Sequence, residues 1–305
     1  MKKILTHYKG PLFEHLQSVL DVATFLGVPV RQLKYLTATR ARQYFSDEEQ
    51  KHDGTFRQIQ KPSKELKKVQ TLILKKIVAR IPLADCVYGL HKGRGIVENA
   101  LLHNEQPYAA KFDIRHFFPS IHISAIKNIY LGIGCGEEAA RTLTALATNQ
   151  HQLPQGAPTS SYLASVVLHD VDFQISQLAQ HNNFTYSRYC DDICVSGNQD
   201  MRLISRKIRE VICSHGFTLS AAKTKYFGPS DEKIVTGITI RNGKLHVPVQ
   251  TQLVEDHVKM LRRGEVDLIE SRIRGLIAFI RQVDPNLSKR LLMDYEQKRF
   301  QKKQR

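Results

Sequence analysis

The sequence predicts an α+β fold in which an antiparallel sheet packs on helices. Three observations predict it. Apolar residues recur at three- and four-residue steps toward both ends of the chain, which is the helical period. Between Tyr108 and Ile114 the period falls to two, and the Phe184–Val195 stretch is rich in aromatic and β-branched residues, as strands are. Asp53-Gly54 and Asn242-Gly243 each separate two extended segments, a strong short-range hairpin signal.

From Pro11 to about Tyr44 the pattern is helical, with Leu12, Leu16, Val19, Leu20 and Ala23 on one face. Gly27 and Pro29 break it, and a second helix covers Val30 to Leu36. Ser46 to Gln60 reads as a hairpin, and Pro62 ends its second strand. Ser63 caps a helix to about Arg80, with Lys64, Lys67, Lys68, Lys75 and Lys76 outward, a face suited to a phosphate backbone. Tyr88 to Gly95 is a glycine-rich basic loop ahead of a short helix, Ile96–His103. A strand opens at Tyr108, and short helices follow at Ser124–Leu131 and Glu137–Thr148. Leu153–Ser160 is a turn whose Thr159 or Ser160 caps a helix reaching about Ala179. Phe184–Gly197 reads as strand, tight turn, strand, and an amphipathic helix runs from about Met201 to Ser214. Phe217–Gly228 forms strand, turn and strand. Ile234–Ile240 and Lys244–Val247 flank the Asn242-Gly243 turn, and helices are expected near 251–263, 267–282 and 286–300.

Composition narrows the function classes. The 305 residues carry 45 Lys and Arg against 29 Asp and Glu, a net charge of +16 that points to a polyanionic partner, nucleic acid first. No stretch approaches the ~20 apolar residues of a membrane span, and no signal peptide is seen. The five Cys include no C-x-x-C pair and the 13 His form no metal-ligand spacing with them, so a cytoplasmic protein without a zinc site is expected.

The chemistry is concentrated at Tyr189-Cys190-Asp191-Asp192. Two adjacent carboxylates at a turn between apolar strands require water or cations to offset repulsion and desolvation. Divalent Mg²⁺ suits carboxylate and phosphate oxygens. Asp113, the one acid in the Tyr108–Ile114 strand, is the candidate third carboxylate. If the two strands pair, three carboxylates hold two ions, the arrangement used for nucleotidyl transfer.

These segments together resemble the motifs of reverse transcriptases. Phe112–Phe118 is similar to motif A, Gln155–Ser160 to motif B, Tyr189–Asp192 to motif C, and Gly216–Thr224 to motif D, in the family's order. Arg57, Ile59 and Pro62 resemble the basic fingers motif. The resemblance implies a right-hand polymerase fold: an N-terminal helical extension at 1–50, fingers at 51–110 with an insertion near 122–150, a palm at 107–235, and a helical thumb and RNA-binding region at 236–305. It implies that Asp113, Asp191 and Asp192, with the Ile114 carbonyl, hold two Mg²⁺ ions. It places Arg57, Phe118, Gln155 and Gly156 at the dNTP, with Phe118 excluding a 2′-hydroxyl, and assigns Lys223 to protonation of pyrophosphate.

Asn99-Ala100 with His103, and Val235-Thr236-Gly237, resemble two short elements of the retron branch. There, Asn99, His103, Val235, Thr236 and Gly237 would help recognise a cognate structured noncoding RNA. The retron resemblance implies priming from an RNA 2′-hydroxyl, a product of DNA joined to RNA, an accessory effector protein, phage defence, and a host RNase H to remove template RNA. Cys190 stands where many relatives carry Ala, and Ser165 where many carry Asn. Two alternatives compete: a group II intron, diversity-generating or abortive-infection reverse transcriptase, against which Val235-Thr236-Gly237 argues, and a non-catalytic nucleic-acid-binding scaffold, against which the complete set of carboxylates argues.

Overall fold

The structure, a computed structural model, describes residues 12–50, 56–262 and 270–303. The first helix is shorter than its apolar repeat suggests: α1 spans Val19–Leu26, because Ser18 and Asp21 close a capping box there. Residues ahead of it form turns, with the Leu12 and Phe13 N–H groups donating to the Ile133 carbonyl. Helix α2 (Val30–Ala38) follows the Gly27–Pro29 break. Strands β1 (Tyr44–Gln50) and β2 (Phe56–Pro62) pair antiparallel from Tyr44↔Pro62 to Gln50↔Phe56. Their expected Asp53-Gly54 tip lies outside the described residues.

Ser63 caps α3 (Lys64–Lys76), its hydroxyl accepting the Leu66 N–H. Lys64, Lys67, Lys68 and Lys75 are exposed, but Lys76 is not on that face. Its ammonium donates to the Phe25 and Leu26 carbonyls and fastens α3 to the end of α1. Next come β3 (Val87–Tyr88), α4 (Ile96–Leu102), β4 (Tyr108–Asp113), α5 (Phe117–Ser120), α6 (Ile123–Gly132) and α7 (Glu137–Ala147).

The single helix expected from Ser160 to Ala179 is two, α8 (Ser160–Val167) and α9 (His169–Asn182), interrupted at Leu168. Thr159 holds the N-cap position without bonding the helix backbone; its hydroxyl and that of Ser160 are buried with no hydrogen-bond partner among the described residues. Then follow β5 (Phe184–Tyr189), β6 (Asp192–Gly197), α10 (Arg202–Ser214) and β7 (Lys225–Phe227).

The Ile234–Ile240 stretch is a hairpin, not one strand. β8 (Lys233–Val235) turns back into β9 (Ile238–Arg241) through Thr236 and Gly237, both at positive φ (47° and 81°). β9 turns into β10 (Lys244–His246) through Asn242-Gly243, as its sequence predicts. Helices α11 (Pro248–Arg262), α12 (Glu270–Val283) and α13 (Pro285–Lys303) end the chain.

The main sheet has the strand order β3-β5-β6-β4-β7, with β5/β6 and β4/β7 antiparallel. Two compact units result. One takes the described residues through Val87, Phe112–Asn182 and Ile204–Thr224. Its core includes Ile73, Tyr130, Leu143 and Leu163, and the Tyr162 hydroxyl donates to the Ile81 carbonyl. The other takes Tyr88–Lys111, Asn183–Leu203 and the described residues from Lys225 on. There Val97, Ala100, Cys194, Val235, Ile238 and Ile240 pack with the C-terminal helices. The expected palm segment, 107–235, contributes to both units. Among the described residues no helix is long and apolar enough to cross a membrane.

Candidate active site

The Asp-Asp turn is built by strand pairing. Tyr189 faces Asp192 across β5 and β6, so Cys190 and Asp191 form the connection. Cys190 adopts a left-handed backbone (φ 58°), and the fully buried Arg188 donates to its carbonyl at 2.8 Å. A charged donor on the turn carbonyl offsets the cost of that conformation. On the other side the Tyr189 ring rests on Gly89 so closely that a Cβ there would lie 2.5 Å from it. Burial, then the neighbouring Asp191 charge, pushes the Cys190 thiol up to about 12, so it stays protonated and unreactive.

Each of two candidate carboxylates meets a lysine. Asp192 accepts from Lys111 at 2.7 Å, with both side chains less than a quarter exposed. Asp113, at the end of β4, accepts from Lys223 on both oxygens, at 2.9 and 3.0 Å. The Asp113 carbonyl takes the Ser220 N–H, and Ile114 bridges Leu219, so the Phe217–Lys223 segment runs along the end of β4. Among the described residues no group of three His, Cys, Asp or Glu side chains is gathered to hold a metal ion; Asp113 and Asp192 are each turned onto an ammonium. The ammonium groups show that both carboxylates accept a cation, and carboxylate oxygens with a backbone carbonyl are the hard donors a divalent ion of the Mg²⁺ type prefers. The residues fit such an ion.

The nucleotide-binding candidates divide. Arg57 is exposed on β2. Three residues on, the Gln60 N–H donates to the Gln155 carbonyl at 2.7 Å, and Gly156 packs so tightly on Ile59 that a Cβ would lie 2.7 Å from its methyl group. The strand bearing Arg57 is thus tied to the Gln155-Gly156 loop. Phe118 is half-buried in α5 and packs on Phe117.

The RNA-recognition candidates sit mostly inside. Asn99 and His103 are fully buried, and Val235 nearly so. His103 bridges the Ser187 and Ser196 hydroxyls, and burial holds its imidazole neutral down to about 3. Only Thr236, half-buried, and Gly237, exposed, reach the surface, so any contact with RNA by this group falls to them.

Four contributors were not among the candidates. Lys111 had a signal: it lies two residues before Asp113 and so on the same strand face. Arg188, Gly89 and the Ser187/Ser196 pair act through partners that only strand register and loop path define.

A family model described as reverse transcriptase (RNA-dependent DNA polymerase) matches residues 49–244. The chain is 26% identical over 276 residues to the retron Ec86 reverse transcriptase of Escherichia coli, covering 90% of this chain and 86% of that one. It is 27% identical over 296 residues to the retron Mx65 reverse transcriptase of Myxococcus xanthus (89% and 69% covered). It is 28% identical over 315 residues to the retron Mx162 enzyme of the same organism (88% and 64%). The motif order, the α+β fold and these similarities agree: the chain belongs to the reverse transcriptases, RNA-directed DNA polymerases, and is of the retron type.

Proposed function

We propose that the protein reverse transcribes a cognate structured noncoding RNA into a short DNA joined to that RNA, primed from an RNA 2′-hydroxyl. The observation that carries the chemistry is the pair of cation-held carboxylates, Asp113 at the end of β4 and Asp192 beside the Asp191 turn. Asp113, Asp191, Asp192 and the Ile114 carbonyl would hold two Mg²⁺ ions. Bound there, the ions supply activation of the attacking hydroxyl and charge neutralisation of the leaving group. In the transfer, the hydroxyl oxygen bonds to the α-phosphorus, its proton passes to solvent water, and the bond to the bridging oxygen breaks with the electron pair leaving on pyrophosphate.

The chain's own residues orient these groups. Arg57 meets the triphosphate, Gln155 and Gly156 line the nascent base pair, and Phe118 excludes a 2′-hydroxyl on the incoming nucleotide. Lys223, 60% exposed, exchanges Asp113 for the pyrophosphate and gives it a proton. The substrates of the reaction class are an RNA template and dNTPs. An accessory effector, a separate RNase H and a cytoplasmic role in phage defence complete the proposal, as the resemblance of Asn99-Ala100 with His103 and of Val235-Thr236-Gly237 to the retron branch implies.

The test is co-expression with the flanking RNA, extraction of the bound nucleic acid, and treatment with RNase and a debranching enzyme. A DNA of defined length whose mobility shifts on debranching is expected, and its loss in Asp191→Ala/Asp192→Ala. An enzyme that extends an ordinary primer on RNA but yields no branched DNA is a polymerase without the retron priming mode.

A further inference from the structure

We propose that His103 is a positioning residue for the Asp-Asp turn: its imidazole clamps β5 to β6 beneath the carboxylates. The inference deepens the polymerase reading and rests on it. His103 Nδ1 lies 2.6 Å from the Ser196 hydroxyl and Nε2 lies 2.7 Å from the Ser187 hydroxyl. Ser187 faces Cys194, and Ser196 faces Thr185, so the two serines are diagonal neighbours on one face of the hairpin. Strand alternation puts Tyr189 and Asp192 on that same face, one step nearer the turn.

The ring is suited to the task because it is neutral. A neutral imidazole has one donor and one acceptor, so one serine accepts from it while the other donates to it, and both ring nitrogens are satisfied. With no exposed surface and both nitrogens engaged, the side chain has nothing left to offer an RNA.

The clamp is anchored from behind. Next to His103, Asn104 donates to the Gly243 carbonyl at 2.9 Å, and Lys233 bonds the Gln106 carbonyl. Thr236 donates to the Ile96 carbonyl at 3.3 Å, and Val97 and Ala100 share a core with Val235, Ile238 and Cys194. The three-stranded sheet of β8–β10 therefore holds α4, and α4 holds the hairpin through His103. Removing the clamp frees β5 and β6 to shear by fractions of an ångström, which displaces Asp191 and Asp192. Misplacement of this kind slows a positioned reaction by up to roughly a hundredfold per ångström.

The experiment measures steady-state dTTP incorporation on poly(rA) primed with oligo(dT), against Mg²⁺ concentration, with the full chain. In His103→Ala, kcat is expected to fall about tenfold or more, KM for dTTP to stay within about twofold, and half-saturating Mg²⁺ to rise. Ser187→Ala/Ser196→Ala should reproduce that profile, and the triple variant should be no worse than the poorer of the two, as members of one network behave. His103→Gln, which keeps a donor and an acceptor, should recover part of kcat. If His103→Ala does not fold, Ser187→Ala alone, which removes one bond, decides by the same kcat and Mg²⁺ readouts. Wild-type kcat and Mg²⁺ dependence in the serine variants overturn the clamp, as does a His103→Ala protein that keeps kcat while losing its cognate RNA. A wild-type protein that incorporates no dTTP overturns the polymerase reading instead, and the positioning role with it.

Discussion

Lys111 and Lys223 place ammonium groups on Asp192 and Asp113, and the two pairs differ in how much water they see. Lys223 is largely exposed and exchanges partners at little cost. Lys111 is 24% exposed against an Asp192 that is 20% exposed, so this pair is screened by water far less and its removal costs more. Lys111→Met is expected to destabilise the metal-free protein by about 1–3 kcal/mol. Because a bound ion stabilises the folded state alone, adding Mg²⁺ should then raise the melting temperature more in Lys111→Met than in wild type. Equal Mg²⁺-induced gains in the two proteins would show that no ion binds at Asp192. Gly89 acts by absence of a side chain: with φ at +90° and the Tyr189 ring against it, Gly89→Ala must strain the backbone and move the ring. The expected loss is about 1–2 kcal/mol of stability and about tenfold in incorporation rate, read by melting and primer extension; a lower melting point with unchanged rate would mean that the Tyr189 ring need not be held there. His103 gives stability a pH signature. Its folded pKa, near 3, lies below the unfolded value, so between them the unfolded chain binds the extra proton. That stability is present above about pH 6.5 and is lost as pH falls toward 3, at up to ~1.4 kcal/mol per pH unit. Denaturant titrations at pH 5 and 7 should show a smaller pH difference in His103→Gln than in wild type, and an unchanged difference would assign the acid loss to other groups.

The short hairpins show what local sequence specifies and what it leaves open. Asn242-Gly243 is legible because both residues adopt positive φ readily, and the structure turns there. Thr236-Gly237 makes a turn of the same length one strand earlier, but a β-branched Thr among Ile and Val reads as strand interior. Its turn is held by a tertiary bond, Thr236 to the Ile96 carbonyl, which no local pattern announces. Gly237→Val should therefore cost about 1–2 kcal/mol in a urea titration, through strain at φ 81° rather than lost packing, since a Cβ there meets open space. A loss no larger than an ordinary surface substitution would show that the turn is not constrained. The same logic separates the site residues. Asp191 and Asp192 stand out as adjacent carboxylates at a turn and Asp113 as the one acid of its strand, whereas Lys223 stands out only through the resemblance of Gly216–Thr224 to motif D. Arg188, Gly89 and the two serines under His103 do not, because their roles depend on which residue faces which. The break at Leu168 is hidden for a related reason: the helical spacing of Leu163, Val166, Val167 and Val171 continues through it.

Across the molecule, a net charge of +16 makes affinity for RNA largely a matter of counterion release. The exposed lysines of α3 are one place where that charge is gathered, and the structure sorts them. Lys64, Lys67 and Lys68 are exposed, whereas Lys76 is spent on the Phe25 and Leu26 carbonyls. If Lys64, Lys67 and Lys68 each neutralise one phosphate of a single strand, Lys64→Gln/Lys67→Gln/Lys68→Gln should flatten the plot of log affinity against log salt by about two units. Its melting temperature should hardly change, because solvated lysines contribute little to stability. Lys76→Gln should do the reverse, lowering the melting temperature and leaving the salt slope as it was. Both variants lie on one helix and remove the same type of charge, three from the exposed face and one from the contact with α1. An unchanged slope in the triple variant would make this face of α3 a solvated surface and move the RNA path to other basic residues of the chain.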